Sequence, residues 1–258
     1  MNDLERYFRQ NDKRLISKWV HYFDIYERHF SRFRHKEITI LETGVYQGGS
    51  LQMWKENLGD KAKIYGIDIK TQCKQLDEEN ITIHIGSQSD RIFLHDVKKN
   101  LPAVDIVIAD GGHKMQQQIV SYEELFSQVA GGGVYHCEDL HTSYRRKDGG
   151  GHKRDGTFIE YSKNFIGELN ACHSEQKRLQ VNDVTTSIDS IHYDDNMLVI
   201  EKKKRGKPFT EKTGLPSFPD SLPHRTPVKR AATKLSRNCI NVINRCVRFF
   251  RIRSFIWK

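Results

Sequence analysis

Short apolar runs alternate with longer mixed segments through the middle of the chain. Seven of these runs have the length and the β-branched and aromatic content of strands. The predicted strands are residues 38–44, 63–69, 81–86, 104–110, 133–139, 187–193 and 196–202. The predicted helices between them are residues 49–58, 89–99, 115–129 and 157–171. Strands that alternate with helices predict a mostly parallel sheet with helices on both faces.

The last two predicted strands leave no room for a helix, because only Asp194 and Asp195 separate them. Strands joined by so short a turn pair in antiparallel fashion. We therefore predict an α/β fold. It is a Rossmann-like, mostly parallel seven-stranded sheet that ends in an antiparallel hairpin, with N-terminal helices and a C-terminal basic tail helix added.

An aromatic stripe marks the N-terminal segment, residues 1–36. Large apolar side chains recur there at three- and four-residue spacings, which predicts helix over residues 4–34. The stripe consists of Trp19, Phe23, Tyr26, Phe30 and Phe33. We expect it to pack on the main domain, residues 37–202, and a substrate lid is the alternative.

The composition changes after Lys202. Five of the six prolines lie between residues 208 and 227, so we assign residues 203–229 to a basic linker. Residues 230–258 have a basic face and an apolar face, which predicts an amphipathic helix. Such a helix is typical of contact with an anionic membrane surface. Docking on another protein subunit and a solvated, disordered tail are the alternatives.

The basic charge of the chain is concentrated in this tail. The net charge is +9 over 258 residues, but residues 203–258 carry 15 basic and two acidic side chains. The remaining residues therefore carry a charge of −4, and we predict no nucleic-acid partner. No long uncharged apolar stretch or signal sequence is present, which predicts a cytoplasmic protein, with peripheral membrane contact through the tail. The five scattered cysteines predict reduced thiols.

A glycine loop follows the first predicted strand, at Leu41–Ser50. Gly44 lets the backbone approach a ligand, the helix after the loop begins near Ser50, and we predict that both residues contact a cofactor. The spacing is not the GxGxxG fingerprint of dinucleotide-binding proteins. Glu42 would repel a pyrophosphate but would suit a cationic ligand such as S-adenosylmethionine. A plain turn between strand and helix is the alternative.

Polar residues at the next two strand ends extend this candidate cofactor site. Asp68 can accept hydrogen bonds from both hydroxyls of a ribose. Ser87 and Gln88 can contact the rim of an adenine, although the same stretch can also cap a helix through Ser89.

Three acids follow the fourth and fifth strands: Asp110, Glu138 and Asp139. Neighbouring strand ends meet at one edge of an open sheet, so we expect these carboxylates to converge on a divalent cation, with Mg²⁺ as the default. His113 follows Asp110 after two glycines and is a candidate general base for an alcohol. A role in stabilising the loop is its alternative.

The ordered set LETGVYQGGSLQMW, GIDI, GSQSD, DGGH and EDLHTSY resembles the metal-dependent sugar O-methyltransferases of macrolide biosynthesis and the related cephalosporin hydroxylase-like proteins. The resemblance covers residues 38–202 and implies the class I methyltransferase fold. It implies that Asp110, Glu138 and Asp139 bind Mg²⁺ and that His113 is the base. It also implies that Glu42 and Asp68 bind the cofactor. One departure is Ala109, where the family commonly has a second acid.

The resulting prediction is an S-adenosylmethionine-dependent, metal-assisted O-methyltransferase. Its acceptor would be a hydroxyl of a sugar, polysaccharide, glycolipid or glycosylated natural product. We expect His141 and Tyr144 to form part of the pocket wall. The family suggests a homo-oligomer. The alternatives are a non-catalytic cofactor-binding protein, for which Ala109 is the sequence support, and an NAD-linked oxidoreductase.

Overall fold

A single seven-stranded sheet organises the chain, and its order is β3-β2-β1-β4-β5-β7-β6. The computed structural model describes residues 1–218, 238–240 and 242–243. The strands are β1 Thr39–Thr43, β2 Lys63–Asp68, β3 Ile81–Ile85, β4 Val104–Ala109, β5 Val129–Cys137, β6 Ile188–Asp194 and β7 Met197–Lys202. Strands β1 to β5 pair in parallel, and β7 pairs antiparallel with both β5 and β6. This arrangement confirms the predicted fold class.

Eight α-helices accompany the sheet in the described part of the chain. They are α1 Asp3–Gln10, α2 Tyr22–Phe30, α3 Gly49–Leu58, α4 Arg91–Lys99, α5 Met115–Leu125, α6 Phe158–Ser162, α7 Asn164–Leu169 and α8 Asp183–Ser187. Every residue of β1 is buried, and successive side chains of a strand point to opposite faces. Ile40 accordingly packs in a core with Tyr26 and Trp54, whereas Leu41 packs in a second core with Leu94. Helices therefore cover both faces of the sheet.

The prediction of continuous helix over residues 4–34 is wrong. Residues 11–21 separate α1 from α2 and have no regular helix. The aromatic stripe is buried from Phe23 onward, but Trp19 is 54% exposed. Helix α1 ends where the side chain of Asn11 hydrogen-bonds to the backbone of Lys13 and Arg14. The segment that follows places the side chain of Lys18 in a buried cluster of acids from distant loops.

Other boundaries differ in smaller ways. The predicted helix over residues 157–171 is two short helices, α6 and α7, that meet at Lys163. Helix α8 was not predicted. Strand β5 begins at Val129 rather than at residue 133. The glycines at 131–133 carry no apolar pattern, and they lie at an irregularity in the pairing with β4, between the paired residues Val129 and Val134.

The predicted linker is described up to residue 218, where it forms neither helix nor strand, and the predicted tail helix falls mostly outside the described residues. Residues 238–240 and 242–243 are helical, and the rest of the predicted helix over 230–258 lies outside the description. Within the described ranges, none of the helices combines the length and apolar character that crossing a bilayer requires. The four described cysteines, Cys73, Cys137, Cys172 and Cys239, are free thiols.

Candidate functional site

A cavity of about 500 Å³ opens at the carboxyl ends of the central strands. Loops that follow β1, β2, β3, β4 and β5 meet there, as expected for an open α/β sheet. We call it the glycine-lined cavity. Its lining residues are Ser17, Gly44, Tyr46, Ile67, Asp68, Ile69, Lys70, Gly86, Ser87, Gln88, Asp110, Gly111, Gly112, His113, Gln117 and Asp139. Four of the six predicted cofactor residues therefore line one cavity: Gly44, Asp68, Ser87 and Gln88.

The glycine loop after β1 is held close to the loop after β4. Gly44 has a φ of +92°, and a Cβ at this position would lie 2.2 Å from the carbonyl oxygen of Asp110. A side chain here is excluded both by the backbone conformation and by the neighbouring loop. The carboxylate of Asp68 accepts hydrogen bonds of 3.0 Å from the backbone N–H groups of Val45 and Tyr46. Asp68 thus fixes the loop and still faces the cavity.

Gln88 holds the Asp110–His113 loop in place. Its Oε1 accepts a hydrogen bond from the N–H of Gly112 at 2.5 Å, and its Nε2 donates to the Gly112 carbonyl at 3.1 Å. Nε2 also contacts Ser121 Oγ at 3.1 Å. Both ends of this buried amide are therefore engaged by the protein, so the structure gives Gln88 a positioning role beside its place in the cavity wall.

Glu42 and Ser50 do not line the cavity. Glu42 is fully buried, and its Oε2 accepts hydrogen bonds from Ser50 Oγ at 2.9 Å and Trp54 Nε1 at 3.1 Å. Its Oε1 has no hydrogen-bond partner. Burial raises the pKa of Glu42 to about 7, against the opposing effect of Lys18. Direct contact of these two residues with a cofactor stays a prediction.

Asp110, His113 and Asp139 converge at one end of the glycine-lined cavity. The Nε2 atom of His113 lies 3.4 Å from Asp139 Oδ2 and 4.0 Å from Asp110 Oδ1. One potential ligand atom of each residue lies within 4.8 Å of the others. All three side chains are partly exposed, so a ligand can reach them from the cavity. The predicted meeting of these strand ends is present.

Glu138 adjoins this group but has buried partners. Tyr26 donates a hydrogen bond of 2.6 Å to Glu138 Oε1, and the ammonium of Lys18 lies 3.0 Å from both carboxylate oxygens. Burial, together with the charge of Asp110, raises the pKa of Glu138 against the influence of Lys18. Glu138 is therefore close to the other two acids, and its role as a metal ligand stays a prediction.

Asn196 fixes the orientation of Asp139. It occupies the β6–β7 turn with a φ of +67°, and its Nδ2 donates to Asp139 Oδ1 at 3.2 Å and to the hydroxyl of Tyr22. Tyr22 in turn donates to the same Oδ1 atom at 2.8 Å. The backbone N–H and Nδ1–H of His141 donate to Asn196 Oδ1 at 2.7 and 2.8 Å. With Oδ1 held in this way, Asp139 Oδ2 is the oxygen that faces His113.

The sequence analysis missed Lys18, Tyr22, Tyr26 and Asn196. Lys18 lay within a predicted helix, where a lysine ordinarily faces solvent. Tyr26 was assigned to the aromatic stripe and Tyr22 only to the predicted helix, and nothing in the spacing reveals that their hydroxyls contact acids more than a hundred residues away. Asn196 had a usable signal, since asparagine tolerates the left-handed conformation that tight hairpin turns require.

A second cavity, of about 440 Å³, lies beyond Asp139. His141 and Tyr144 line it, as the sequence predicted for a pocket wall, and His141 Nδ1 is 3.9 Å from Asp139 Oδ1. The ring of Trp19 lies 6.1 Å from the His141 ring. The other lining residues are Leu140, Ile159, Lys163, Ile166, Tyr193, Asp194, Asp195 and Asn196. This second cavity offers aromatic, apolar and charged groups next to the acids.

Ala109 occupies the position where the resembled family commonly has a second acid. Its side chain is 3% exposed and packs in the second hydrophobic core with Leu41 and Tyr135. The alanine fits an apolar environment in this chain.

Comparison with known proteins links this geometry to one enzyme class. Residues 41–140 match a family model described as a methyltransferase domain. The chain is 31% identical over 197 residues to the 8-demethyl-8-alpha-L-rhamnosyl tetracenomycin-C 2'-O-methyltransferase of Streptomyces olivaceus. That match covers 72% of this chain and 52% of the relative. This chain is also 36% identical over 168 residues to the demethylmacrocin O-methyltransferase of Streptomyces fradiae. That match covers 60% of this chain and 42% of that protein. The chain spans about half the length of the curated relatives it matches.

A solved structure also shares the fold. The MycE methyltransferase from the mycinamycin biosynthetic pathway, in complex with Mg, SAH and mycinamycin VI, superposes with a TM-score of 0.69 at 27% identity. The match covers 90% of this chain and 58% of that chain. The expected fold is thereby confirmed by a related protein.

Proposed function

The chain carries a methyltransferase domain of the class I fold, and from this premise we propose that it is an S-adenosylmethionine-dependent, divalent-metal-assisted O-methyltransferase. We propose a sugar hydroxyl of a glycosylated molecule as its acceptor. The observation that carries the proposal is the convergence of Asp110, His113 and Asp139 beside the glycine loop. The named relatives that methylate glycosylated natural products support the acceptor class.

The residues present fit S-adenosylmethionine. Gly44 lets the loop after β1 pack closely against the loop after β4, and both loops border an open cavity in which a ligand can reach their backbone. Asp68 faces the cavity, where its carboxylate can accept hydrogen bonds from ribose hydroxyls. The carboxylates near Asp110 give this end of the cavity a negative charge, which favours a sulfonium.

The donor set also fits a divalent cation. Asp110, Glu138 and Asp139 supply oxygen ligands, which Mg²⁺ and Mn²⁺ prefer, and one lysine balances only part of their charge. When bound, S-adenosylmethionine supplies the methyl group and the cation supplies positive charge beside the acceptor oxygen. Ala109 lies in the apolar core, and its carbonyl accepts a hydrogen bond from the backbone N–H of Glu138.

The chain's own residues account for the proton transfer. His113 Nε2 is placed to accept the proton of the acceptor hydroxyl, and Asp139 Oδ2, 3.4 Å away, stabilises the imidazolium that forms. Asn196 and Tyr22 keep Asp139 in this orientation through its other oxygen. The acceptor sugar is proposed to occupy the second cavity, where Tyr144 and Tyr193 offer aromatic surfaces.

The test is transfer of isotopically labelled methyl groups from S-adenosylmethionine to a panel of rhamnosides and other glycosides. We expect turnover with Mg²⁺, at least a hundredfold loss after treatment with EDTA, and recovery when Mg²⁺ or Mn²⁺ is added back. Unchanged turnover in EDTA would contradict the metal assistance. Cofactor binding in a calorimeter without transfer to any acceptor would support the non-catalytic alternative, and affinity for NADH alone would support the oxidoreductase.

A further inference from the structure

The side chain of Lys18 is the buried cation of the acidic cluster. It comes from the irregular segment between α1 and α2, and it is only 3% exposed. Its Nζ lies 2.5 Å from Asp110 Oδ2, 3.0 Å from both oxygens of Glu138 and 3.7 Å from Glu42 Oε1. Burial disfavours the ammonium, but the three carboxylates outweigh burial and raise the pKa of Lys18. Lys18 is therefore charged in this structure.

Lys18 contacts the same oxygens that a divalent cation would need. Both oxygens of Glu138 and one oxygen of Asp110 are within hydrogen-bond distance of its ammonium. The oxygens that remain on the side of His113 are Asp110 Oδ1 and Asp139 Oδ2. An ammonium and a divalent cation on the same carboxylates would repel each other, and each would reduce the ligands available to the other.

We propose that Lys18 competes with the divalent cation for Asp110 and Glu138, and thereby sets the metal affinity of the site. The proposal rests on the metal-assisted function proposed above. In the metal-free protein Lys18 balances part of the negative charge of the cluster and holds the acids together. A bound divalent cation takes over this role and weakens the hold of Lys18.

The segment that carries Lys18 also forms part of the wall of the glycine-lined cavity, so the same competition affects that cavity. A Cβ on Gly49 would lie 2.4 Å from the carbonyl oxygen of Leu15 and 2.5 Å from that of Arg14, so this segment rests directly on the first turn of α3. Ser17 lines the glycine-lined cavity itself. Loss of the Lys18 contacts would therefore loosen a wall of the cavity, and metal binding and the docking of residues 11–21 are coupled.

The test is the affinity of the full chain for Mn²⁺, measured by electron paramagnetic resonance of free and bound metal. Lys18→Met removes the ammonium but keeps the length of the side chain. Lys13→Met makes the same change on the same segment, at an exposed position outside the acidic cluster. We expect Lys18→Met to bind Mn²⁺ at least tenfold more tightly than the wild type, and Lys13→Met to bind like the wild type. Equal or weaker binding by Lys18→Met would overturn the competition.

A second measurement uses the wild-type protein, so the proposal can be tested even if the variant does not fold. Competition predicts that Mn²⁺ speeds amide hydrogen exchange in residues 12–19 several-fold while it slows exchange near Asp110. Slower exchange in residues 12–19 with Mn²⁺ would contradict the proposal even if the variant fails to fold. If the wild type and Lys18→Met bind Mn²⁺ with equal affinity, only the proposed competition is overturned. If the wild type does not bind Mn²⁺, the metal-assisted function is contradicted as well.

Discussion

At the residue scale, the proposed proton transfer depends on the pair of His113 and Asp139. The two side chains come from loops after adjacent strands, and 3.4 Å separates Nε2 from Oδ2. The Nε2 atom of His113 lies beside this carboxylate at the cavity, so it can accept a proton there while Asp139 stabilises the resulting charge. Its contribution should therefore appear in turnover more than in cofactor binding.

Replacing His113 by alanine tests this contribution. We expect the kcat for methyl transfer to fall by roughly 10²- to 10⁴-fold, the usual contribution of a general base. The affinity for S-adenosylmethionine should change little. His95→Ala is the matched control, because His95 lies exposed on α4, away from the cavity. A kcat within twofold of the wild type in His113→Ala would assign the proton transfer to another group.

Asn196 permits an equally specific test of positioning. Asn196→Gly removes the side-chain hydrogen bonds to Asp139 and His141 but retains the left-handed backbone, which glycine adopts without strain. We expect metal affinity or kcat to fall about 10- to 100-fold, as for other residues that orient metal ligands.

Asn80→Gly is the control for Asn196→Gly. Asn80 also has a positive φ, 64°, but its side chain bonds only to the backbone of Asp60. We expect this variant to keep the metal affinity and kcat of the wild type. Equal losses in both variants would show that turn geometry, rather than the orientation of Asp139, causes the effect.

At the scale of elements, strands were more predictable from the sequence than the N-terminal segment. The run at β4 is apolar at five of its six positions and buried on both faces, so its pattern is unambiguous. The runs at β1 and β2 also contain polar residues, but their short apolar stretches have the β-branched and aromatic content of strands. The conformation of the segment between α1 and α2 depends instead on the contact of Lys18 with acids that are distant in sequence. Local spacing carries no information about such a contact, which is why helix was predicted there.

Among the site residues, too, some features could be predicted from the local sequence and others depend on distant contacts. Asp68, Asp110, His113 and Asp139 were predictable because each follows a strand end, where ligands bind in open α/β sheets. Their mutual orientation was not predictable, because it depends on Gln88, Tyr22 and Asn196. Gln88 was predicted as a ligand contact, and only the structure shows that its amide is paired with the backbone of Gly112.

The docking of residues 11–21 can be tested through Gly49. A Cβ there would lie 2.4 Å from the carbonyl oxygen of Leu15, so Gly49→Ala should displace the segment although alanine favours helix. We expect a loss of about 1–3 kcal/mol in the free energy of unfolding, as for other overpacked sites, and faster proteolysis within residues 11–21. Gly131→Ala is the control, because a Cβ there meets nothing within 4 Å. A stabilised Gly49→Ala variant would contradict the described packing.

At the scale of the whole molecule, the buried acids make stability depend on pH. Burial raises the pKa of Glu42 to about 7, above the value of 4.5 for an exposed glutamate. Between these values the folded protein binds more protons than the unfolded chain, so stability falls as pH rises through this window. At about 1.4 kcal/mol per pKa unit, the effect is roughly 3 kcal/mol. Lys18, Asp110 and Glu138 are the charged groups that face Glu42 and share this balance.

Chemical denaturation of the metal-free protein between pH 5 and pH 8 checks this expectation. The free energy of unfolding of the wild type should decrease with pH more steeply than that of Glu42→Gln, which cannot ionise at this position. Ser50 and Trp54 can still donate to the amide oxygen of the variant, so the fold is retained. Parallel curves for the two proteins would show that Glu42 does not titrate in this range.

We propose that acids from neighbouring strand ends hold a divalent cation beside the glycine-lined cavity. Anomalous diffraction from crystals grown with Mn²⁺ and S-adenosylhomocysteine would locate this cation. We expect a manganese peak within about 2.5 Å of carboxylate oxygens of both Asp110 and Asp139. A peak elsewhere, or no peak while Lys18 keeps its contacts with Asp110 and Glu138, would contradict it.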